Sequence, residues 1–253
     1  MLDRRKLLLG GAALALSGCK VLDGAAGPGP LRDVFEAASS LTYRTQRALL
    51  GSRMAPEFAE ADIRQGQRPN GSVDPDSAEY LALRDVGFAG YSLSVKGLVD
   101  APVSLSYAEL QRMPARTQIT RHDCVEGWSC IAKWTGVPLG DVLNLAKPKL
   151  TARYAVFHCY DAIERSLSGV VTYYESIDLM DAYHPQTILA YGLNGKPLPV
   201  ANGAPLRLRV ERQLGYKMAK YVHTIELVDS LAGFGDGRGS YWADRGYEWY
   251  AGI

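Results

Sequence analysis

The side chains of this chain best suited to redox or metal chemistry are its sulfurs. Four cysteines occur, Cys19, Cys124, Cys130 and Cys159, and a thiolate is both a nucleophile and a soft metal ligand. His122 and His158 lie close to two of them, so zinc is the first chemistry to weigh. Zinc sites use compact Cys/His pairs, and no Cys-x-x-Cys is present. His158 and Cys159 are adjacent, and neighbours on a strand point to opposite faces. All four histidines, including His184 and His223, are read as structural. Tyr216 and Lys220 are spaced as Tyr-x-x-x-Lys, a pair in which the lysine lowers the phenol pKa for general acid/base work. That chemistry needs a glycine-rich strand–turn–helix near the N-terminus to hold a pyrophosphate. The only early glycine pair, Gly10-Gly11, sits in an apolar leader, and Gly233, Gly235, Gly237 and Gly239 lie at the other end. A Gly-x-Ser-x-Gly nucleophile elbow is also absent.

A reactive cysteine needs a scaffold, and from Tyr91 onward the sequence supplies strands. Residues 91–99, 117–123, 153–159, 187–193, 206–211 and 221–228 are β-branched or aromatic runs of strand length, separated by turns. Helices are predicted at Ser106–Gln111, which Ser106 can cap, at Leu139–Ala146 and at Tyr174–Tyr183. Strands outnumber helices without regular βαβ alternation, so the class is α+β, mixed and strand-rich. Upstream, residues 31–50 space Val34, Phe35, Ala38, Leu41, Ala48 and Leu49 as one amphipathic helix. Residues 64–77 are polar, with turn signals at Pro69-Asn70-Gly71 and Asp74-Pro75, and form a loop too long for a simple connector. The organisation expected is a leader over 1–19, a tether, helix and loop extension over 20–89, a catalytic domain over 90–230, and a Gly- and aromatic-rich tail over 231–253. The tail is expected to lie on the domain with its aromatics as anchors.

At 253 residues, 47% hydrophobic and 22% charged, the chain can bury a sizeable core. Its 28 basic and 27 acidic residues leave a net charge of +1, which argues against a nucleic-acid partner. No apolar run approaches the roughly 20 residues of a membrane span. Residues 1–19 read as an export signal, a charged MLDRRK followed by ten apolar or small residues. Adjacent Arg4 and Arg5 resemble a twin-arginine signal. Leu16-Ser17-Gly18-Cys19 resembles a lipobox, which would place a lipid on Cys19 at the cell envelope. Twin-arginine export carries folded proteins, often with a cofactor already inserted. Three cysteines then remain, enough for one disulfide at most in an oxidising compartment.

Two segments together carry a resemblance. One runs Arg121-His-Asp-Cys124-Val-Glu-Gly-Trp128-Ser and continues to Trp134-Thr-Gly-Val-Pro-Leu139. A strand ends on the cysteine, the chain turns at Gly127, and a second turn at Gly136 leads into a helix. The other comprises Leu193-Asn-Gly-Lys-Pro-Leu-Pro, Asn202-Gly-Ala-Pro-Leu-Arg207 and Gly215-Tyr-Lys217-Met-Ala-Lys220. As a pair they resemble the sulfite-oxidase-type molybdopterin fold over roughly residues 90–230. The bacterial exported branch, which includes the catalytic subunit of periplasmic methionine sulfoxide reductase, is the nearest in pattern.

The resemblance implies a molybdenum–molybdopterin cofactor without an appended nucleotide, with Cys124 as the metal ligand. A soft thiolate suits a metal already held by dithiolene sulfurs. Glu126 falls on the family's acidic position, a catalytic candidate beside Cys124 that lines the substrate pocket, tunes the metal or braces a turn. Asn202 and Arg207 fall where relatives contact the pterin and its phosphate, and a guanidinium matches phosphate bidentately. Met218, Ala219 and Lys220 fall on the loop that closes over that phosphate, and Lys217 adds charge there. Cys159 falls where relatives carry a hydroxyl near the pterin; it faces the cofactor or pairs with Cys130. Asn70 is the positional candidate for a pterin-gripping asparagine. Trp128 and Trp134 are read as packing.

The activity implied is two-electron oxygen-atom transfer, reducing an S- or N-oxide such as methionine sulfoxide. Sulfite oxidation, or a non-catalytic tethered binding module, is the alternative. Sulfite oxidases carry a further dimerisation domain that this length does not hold, which favours a monomeric reductase-like branch. Cys-x-x-Cys-His is absent, so electrons are expected from a separate partner, a membrane haem or quinol-linked protein.

Overall fold

The computed structural model describes residues 30–166 and 169–253, so the leader, Cys19 and the tether before residue 30 lie outside the described residues. Two compact units divide between Gly51 and Ser52. The first contains α1, Pro30–Leu50, the amphipathic helix expected from its spacing, with Asp33 in its first turn and Arg47 in its last, each on the side its charge favours. Val34, Leu41 and Leu49 on it are exposed. Among the described residues no helix is long and apolar enough to cross a membrane.

In the second unit the β-branched and aromatic runs assemble into two five-stranded sheets. The first is ordered β2 (Val103–Ser106), β1 (Ser92–Gly97), β10 (Val222–Val228), β5 (Tyr154–Ser166) and β6 (Gly169–Asp178). Only β1 and β10 pair in parallel, with Ser94 opposite Thr224. The second sheet is β3 (Arg116–Cys124), β4 (Trp128–Pro138), β7 (Ile188–Leu193) and β8 (Lys196–Pro197), with β9 (Arg207–Arg209) also paired to β7. Leu93, Val95, Phe157 and Ile225 anchor the larger core. A smaller core forms around Trp134 with Ile188, Ala190 and Leu198.

Four short helices fill the connections. α2 (Ala78–Asp85) starts at Ser77, whose hydroxyl accepts from the Tyr80 amide. α3 (Tyr107–Arg112) begins with the predicted cap: Ser106 and Glu109 satisfy each other's backbone amides in a capping box. α4 spans Leu139–Ala146 as expected, burying Leu139, Val142, Leu143 and Ala146. The helix predicted over Tyr174–Tyr183 is corrected. Residues up to Asp178 belong to β6, and only Leu179–Ala182 forms a helical turn, α5. Partners on β5, from Tyr154 opposite Asp178 to His158 opposite Tyr174, satisfy this backbone as a ladder. The preceding Val-Val-Thr-Tyr-Tyr run suits a pleated surface better than a helix.

Residues 52–89 belong to the same unit as the sheets. Phe58 donates its amide to Ile119 and Arg64 donates to Ile131, so this stretch runs along the β3–β4 hairpin. The C-terminal residues are bolted to β6: Ser176 donates to the Gly239 carbonyl at 2.5 Å, and Trp249 Nε1 donates to Ser176 Oγ at 2.8 Å. Tyr241 and Arg245 both hold Glu164, at 2.7 and 2.6 Å.

Candidate functional site

The site begins where β3 ends. Along β3 the inward positions are Gln118, Thr120, His122 and Cys124, the period-two face of the strand. The chain then reverses over Val125 and Glu126, and Gly127 donates its amide to the Cys124 carbonyl at 3.0 Å. Gly127 takes φ +85°, a conformation that glycine adopts without a Cβ penalty. Cys124 is thereby presented at a strand end, in the lining of an open pocket. Burial, as the largest influence, pushes its thiol above the ordinary range.

Behind Cys124 runs a buried polar chain. Gln118 donates to Glu211 at 2.8 Å, and Arg209 makes a two-pronged ion pair with Glu211 at 3.0 and 2.6 Å. Arg209 also donates to His122 Nδ1 at 2.8 Å. Since guanidinium only donates, the His122 proton sits on Nε2, which has no partner. Burial, then the charges of Arg209, Arg207 and Lys220, hold His122 well below its usual pKa. It is a neutral structural histidine pressed against Gly215, where a Cβ would collide with its ring. Trp134 lies under both arginines, with Arg209 4.2 Å and Arg207 5.1 Å from its ring centroid, and is fully buried.

One side of the pocket is polar. Asn70, Gly71 and Ser72 from the 64–77 loop, Asp161 from β5, and Met218 and Lys220 line it. Arg207 stands behind, 1% exposed, donating to the Asn202 carbonyl at 2.9 Å and to Asn70 Oδ1 and the Met218 carbonyl at 3.5 Å. Asn202 itself reaches the Gln67 carbonyl at 3.5 Å. Lys220 donates to the carbonyls of Ser72 and Ala201. Among the described residues neither cation forms an ion pair with a carboxylate. Burial first and the neighbouring arginine second push Arg207 down to about 9 and Lys220 down to about 7.

Asp161 was not singled out by sequence. It is 3% exposed, accepts from Ser72 Oγ at 2.5 Å and keeps Oδ1 unpaired. Burial raises its pKa. The β5 ladder with β6 is irregular between His158 and Ala162, so strand alternation from Cys159 gives no signal for it.

The other side is aromatic: Tyr173, Tyr216, Trp242 and Tyr247, with Ile163. Trp242 and Tyr247 belong to the tail, so its rings do more than anchor it.

Of the residues expected at a cofactor site, Asn70, Cys124, Glu126, Met218 and Lys220 line this pocket, and Asn202 and Arg207 support it from behind. Glu126 also accepts from Trp128 Nε1 at 2.9 Å, so its carboxylate both braces the turn and lines the pocket. Three residues are directed elsewhere. Cys159 packs in the larger core, Ala219 is buried behind the loop with its carbonyl accepting from Leu208, and Lys217 is buried in an ion pair with Glu175. A disulfide between Cys130 and Cys159 is not formed: Cys124, Cys130 and Cys159 are all free and buried. Cys130 lies on β4 and Cys159 on β5, in different sheets.

The architecture is that of a strand-rich domain with a pocket that carries a thiol, a polar cluster and an aromatic cluster. Residues 81–232 match the oxidoreductase molybdopterin-binding domain model. The chain is 35% identical over 254 residues to a provisionally named protein-methionine-sulfoxide reductase subunit, YedZ1, of Azospira oryzae, covering 98% of this chain and 86% of the relative. It is also 35% identical over 240 residues to the protein-methionine-sulfoxide reductase catalytic subunit MsrP of Xanthomonas campestris, covering 90% and 71%. The sulfane dehydrogenase SoxCD of Paracoccus pantotrophus shares 22% identity at a TM-score of 0.49 over 56% of this chain and 39% of that one, a partial likeness. The protein belongs to the oxidoreductase molybdopterin-binding domain family and is an oxidoreductase with a molybdenum cofactor.

The residues present fit that cofactor. Burial disfavours the charged forms of Arg207 and Lys220, and a pterin phosphate would offset that cost by pairing with them. Arg207 Nε and Asp161 Oδ1 are buried polar atoms without a hydrogen-bond partner in the protein. Among the described residues no three His, Cys, Asp or Glu side chains converge as a metal site, so a metal held by Cys124 would depend on the cofactor's own sulfur ligands.

Proposed function

We propose that this protein reduces sulfoxides at the cell envelope: one sulfoxide, two electrons and two protons give one thioether and one water. The observation that carries the reading is the position of Cys124, on a pocket whose polar side holds two buried cations without a carboxylate partner. The names of the relatives supply the substrate class, methionine sulfoxide. When bound, the molybdenum cofactor supplies two-electron oxygen-atom-transfer chemistry. Cys124 would ligate the metal. Arg207 and Lys220 would neutralise the phosphate, Asn70 and Asp161 would meet the polar edge of the pterin, and Asn202 would brace Arg207 from behind. Glu126 stands at the rim beside the ligand, held by Trp128. A pterin without an appended nucleotide is part of the same reading. Both relatives are named as subunits, which supports a separate electron-carrying partner, a membrane haem or quinol-linked protein. Export by the twin-arginine route, with a lipid on Cys19, is part of the same reading.

The test is elemental mass spectrometry on protein matured in a molybdopterin-competent bacterium, paired with reduction of methionine sulfoxide by a viologen donor. About one molybdenum per chain, falling sharply in Cys124→Ala, and turnover only in the wild type are expected. Folded protein without molybdenum overturns the reading. Sulfite oxidation without sulfoxide reduction would reverse its direction.

A further inference from the structure

The aromatic side of the pocket has no role in holding the cofactor described above, and its construction is specific. Trp242 and Tyr247 come from beyond the family-matched residues 81–232. Their rings are locked against each other at 5.1 Å, and Tyr247 meets Tyr216 edge-on at 5.3 Å and 75°. Tyr216 donates its hydroxyl to the Glu248 carbonyl at 2.7 Å, and the Tyr247 amide donates to the Trp242 carbonyl at 3.0 Å. Tyr247 is 37% exposed and so stands at the mouth. The only cation among the described lining residues is Lys220, already committed to two carbonyls. Glu126, two residues from Cys124, adds a carboxylate to the lining, while Asp161 lies with Ser72 on the polar side given to the pterin. A small oxyanion such as sulfite therefore meets the Glu126 carboxylate and the negative faces of rings. A neutral sulfoxide with an apolar substituent instead gains ring contact and sulfur–aromatic attraction.

We propose that Trp242, Tyr247 and Tyr216 form a substrate wall that selects neutral sulfoxides bearing an apolar or aryl substituent on sulfur. This rests on the sulfoxide-reductase reading and deepens it. Two of its three rings, Trp242 and Tyr247, belong to the C-terminal segment, so that segment tunes substrate preference while the sheets hold the cofactor.

The experiment compares kcat/KM for methyl p-tolyl sulfoxide and dimethyl sulfoxide in wild-type holoprotein and in Trp242→Ala, Tyr247→Ala and the double variant. Molybdenum content is measured on each preparation, and Trp242→Phe and Tyr247→Phe serve as conservative controls. Binding of methyl p-tolyl sulfone is measured by calorimetry. The expected result is a wild-type preference for the aryl sulfoxide that falls roughly tenfold in the alanine variants, the scale of a lost apolar contact in a specificity pocket. Metal content should be retained and the phenylalanine variants should keep most of the preference. Sulfone affinity should fall in parallel. An unchanged preference, or equal losses for both sulfoxides, overturns the wall. If the wild type reduces no sulfoxide, the reductase reading fails, and the sulfone decides the wall alone: affinity lost in the alanine variants sustains it, and affinity retained overturns it.

Discussion

Lys220 shows what a single buried charge costs the protein and what it is kept for. Its ammonium is pushed down to about 7 by burial and by Arg207, against about 10.4 for an exposed lysine. Between those values the unfolded chain binds more protons than the folded one, so stability rises with pH across that window. In the cofactor-free protein, the unfolding free energy of wild type minus that of Lys220→Met is expected to climb between about pH 7 and pH 10. Urea titrations at several pH values read this directly, and a flat difference would contradict a buried, unneutralised ammonium. A bound phosphate should flatten the slope by restoring the charged form. The motif put Lys220 on the loop expected to close over the phosphate, and the fold places it in the pocket lining. The motif could not separate Lys220 from Lys217, because only the fold shows that Glu175 claims the latter. Asp161 was illegible for a related reason: nothing in its neighbours reveals that β5 turns that face toward the pocket.

The turn Gly215–Lys217 is the element on which the two sides of the pocket meet. Tyr216 faces the aromatic side and Met218 the polar side, while Lys217 points away, paired with Glu175 on β6 and donating to the Ser176 carbonyl at 2.9 Å. Tyr173 also donates to the Tyr216 carbonyl at 2.5 Å. Lys217→Met leaves the Glu175 carboxylate buried without its partner, and a loss of about 3–5 kcal/mol in urea unfolding is expected. Adding Glu175→Gln should recover a large part of that loss, since an amide carries no charge to strand. Failure of the second substitution to recover stability would mean that the lysine stem, rather than the ion pair, holds the turn. The β3–β4 hairpin, by contrast, was legible as an element. Alternating residues before Cys124 and the turn at Gly127 announce a strand ending on a thiol. The helix misread at Tyr174–Tyr183 failed because strand pairing with β5 outweighs local pattern.

For the whole molecule, the sequence suggests an address and the fold suggests why that address matters. A protein whose pocket needs a large anionic cofactor benefits from being folded around it before export. Replacing Arg4 and Arg5 together by lysine is expected to leave the protein in the cytoplasmic fraction, while Cys19→Ala is expected to release exported protein from the membrane fraction. Fractionation and immunoblotting check both. Efficient export of the double lysine variant would exclude the twin-arginine route. The C-terminal residues 231–253 act at this scale too, closing the aromatic side of a pocket that the sheets leave open.

Sequence alone determined the α+β class, the hairpin that presents Cys124, and the motif pair that points to the family, because these depend on local periodicity, turn chemistry and spacing. Tertiary structure decided which charges reach the pocket and which are neutralised behind it, that the three described cysteines stay apart, and that a glycine-rich tail supplies a wall of the site. Those outcomes depend on which faces meet across distant strands. Pairing energy between residues such as Lys217 and Glu175, 42 apart in the chain, leaves no mark on the sequence around either one.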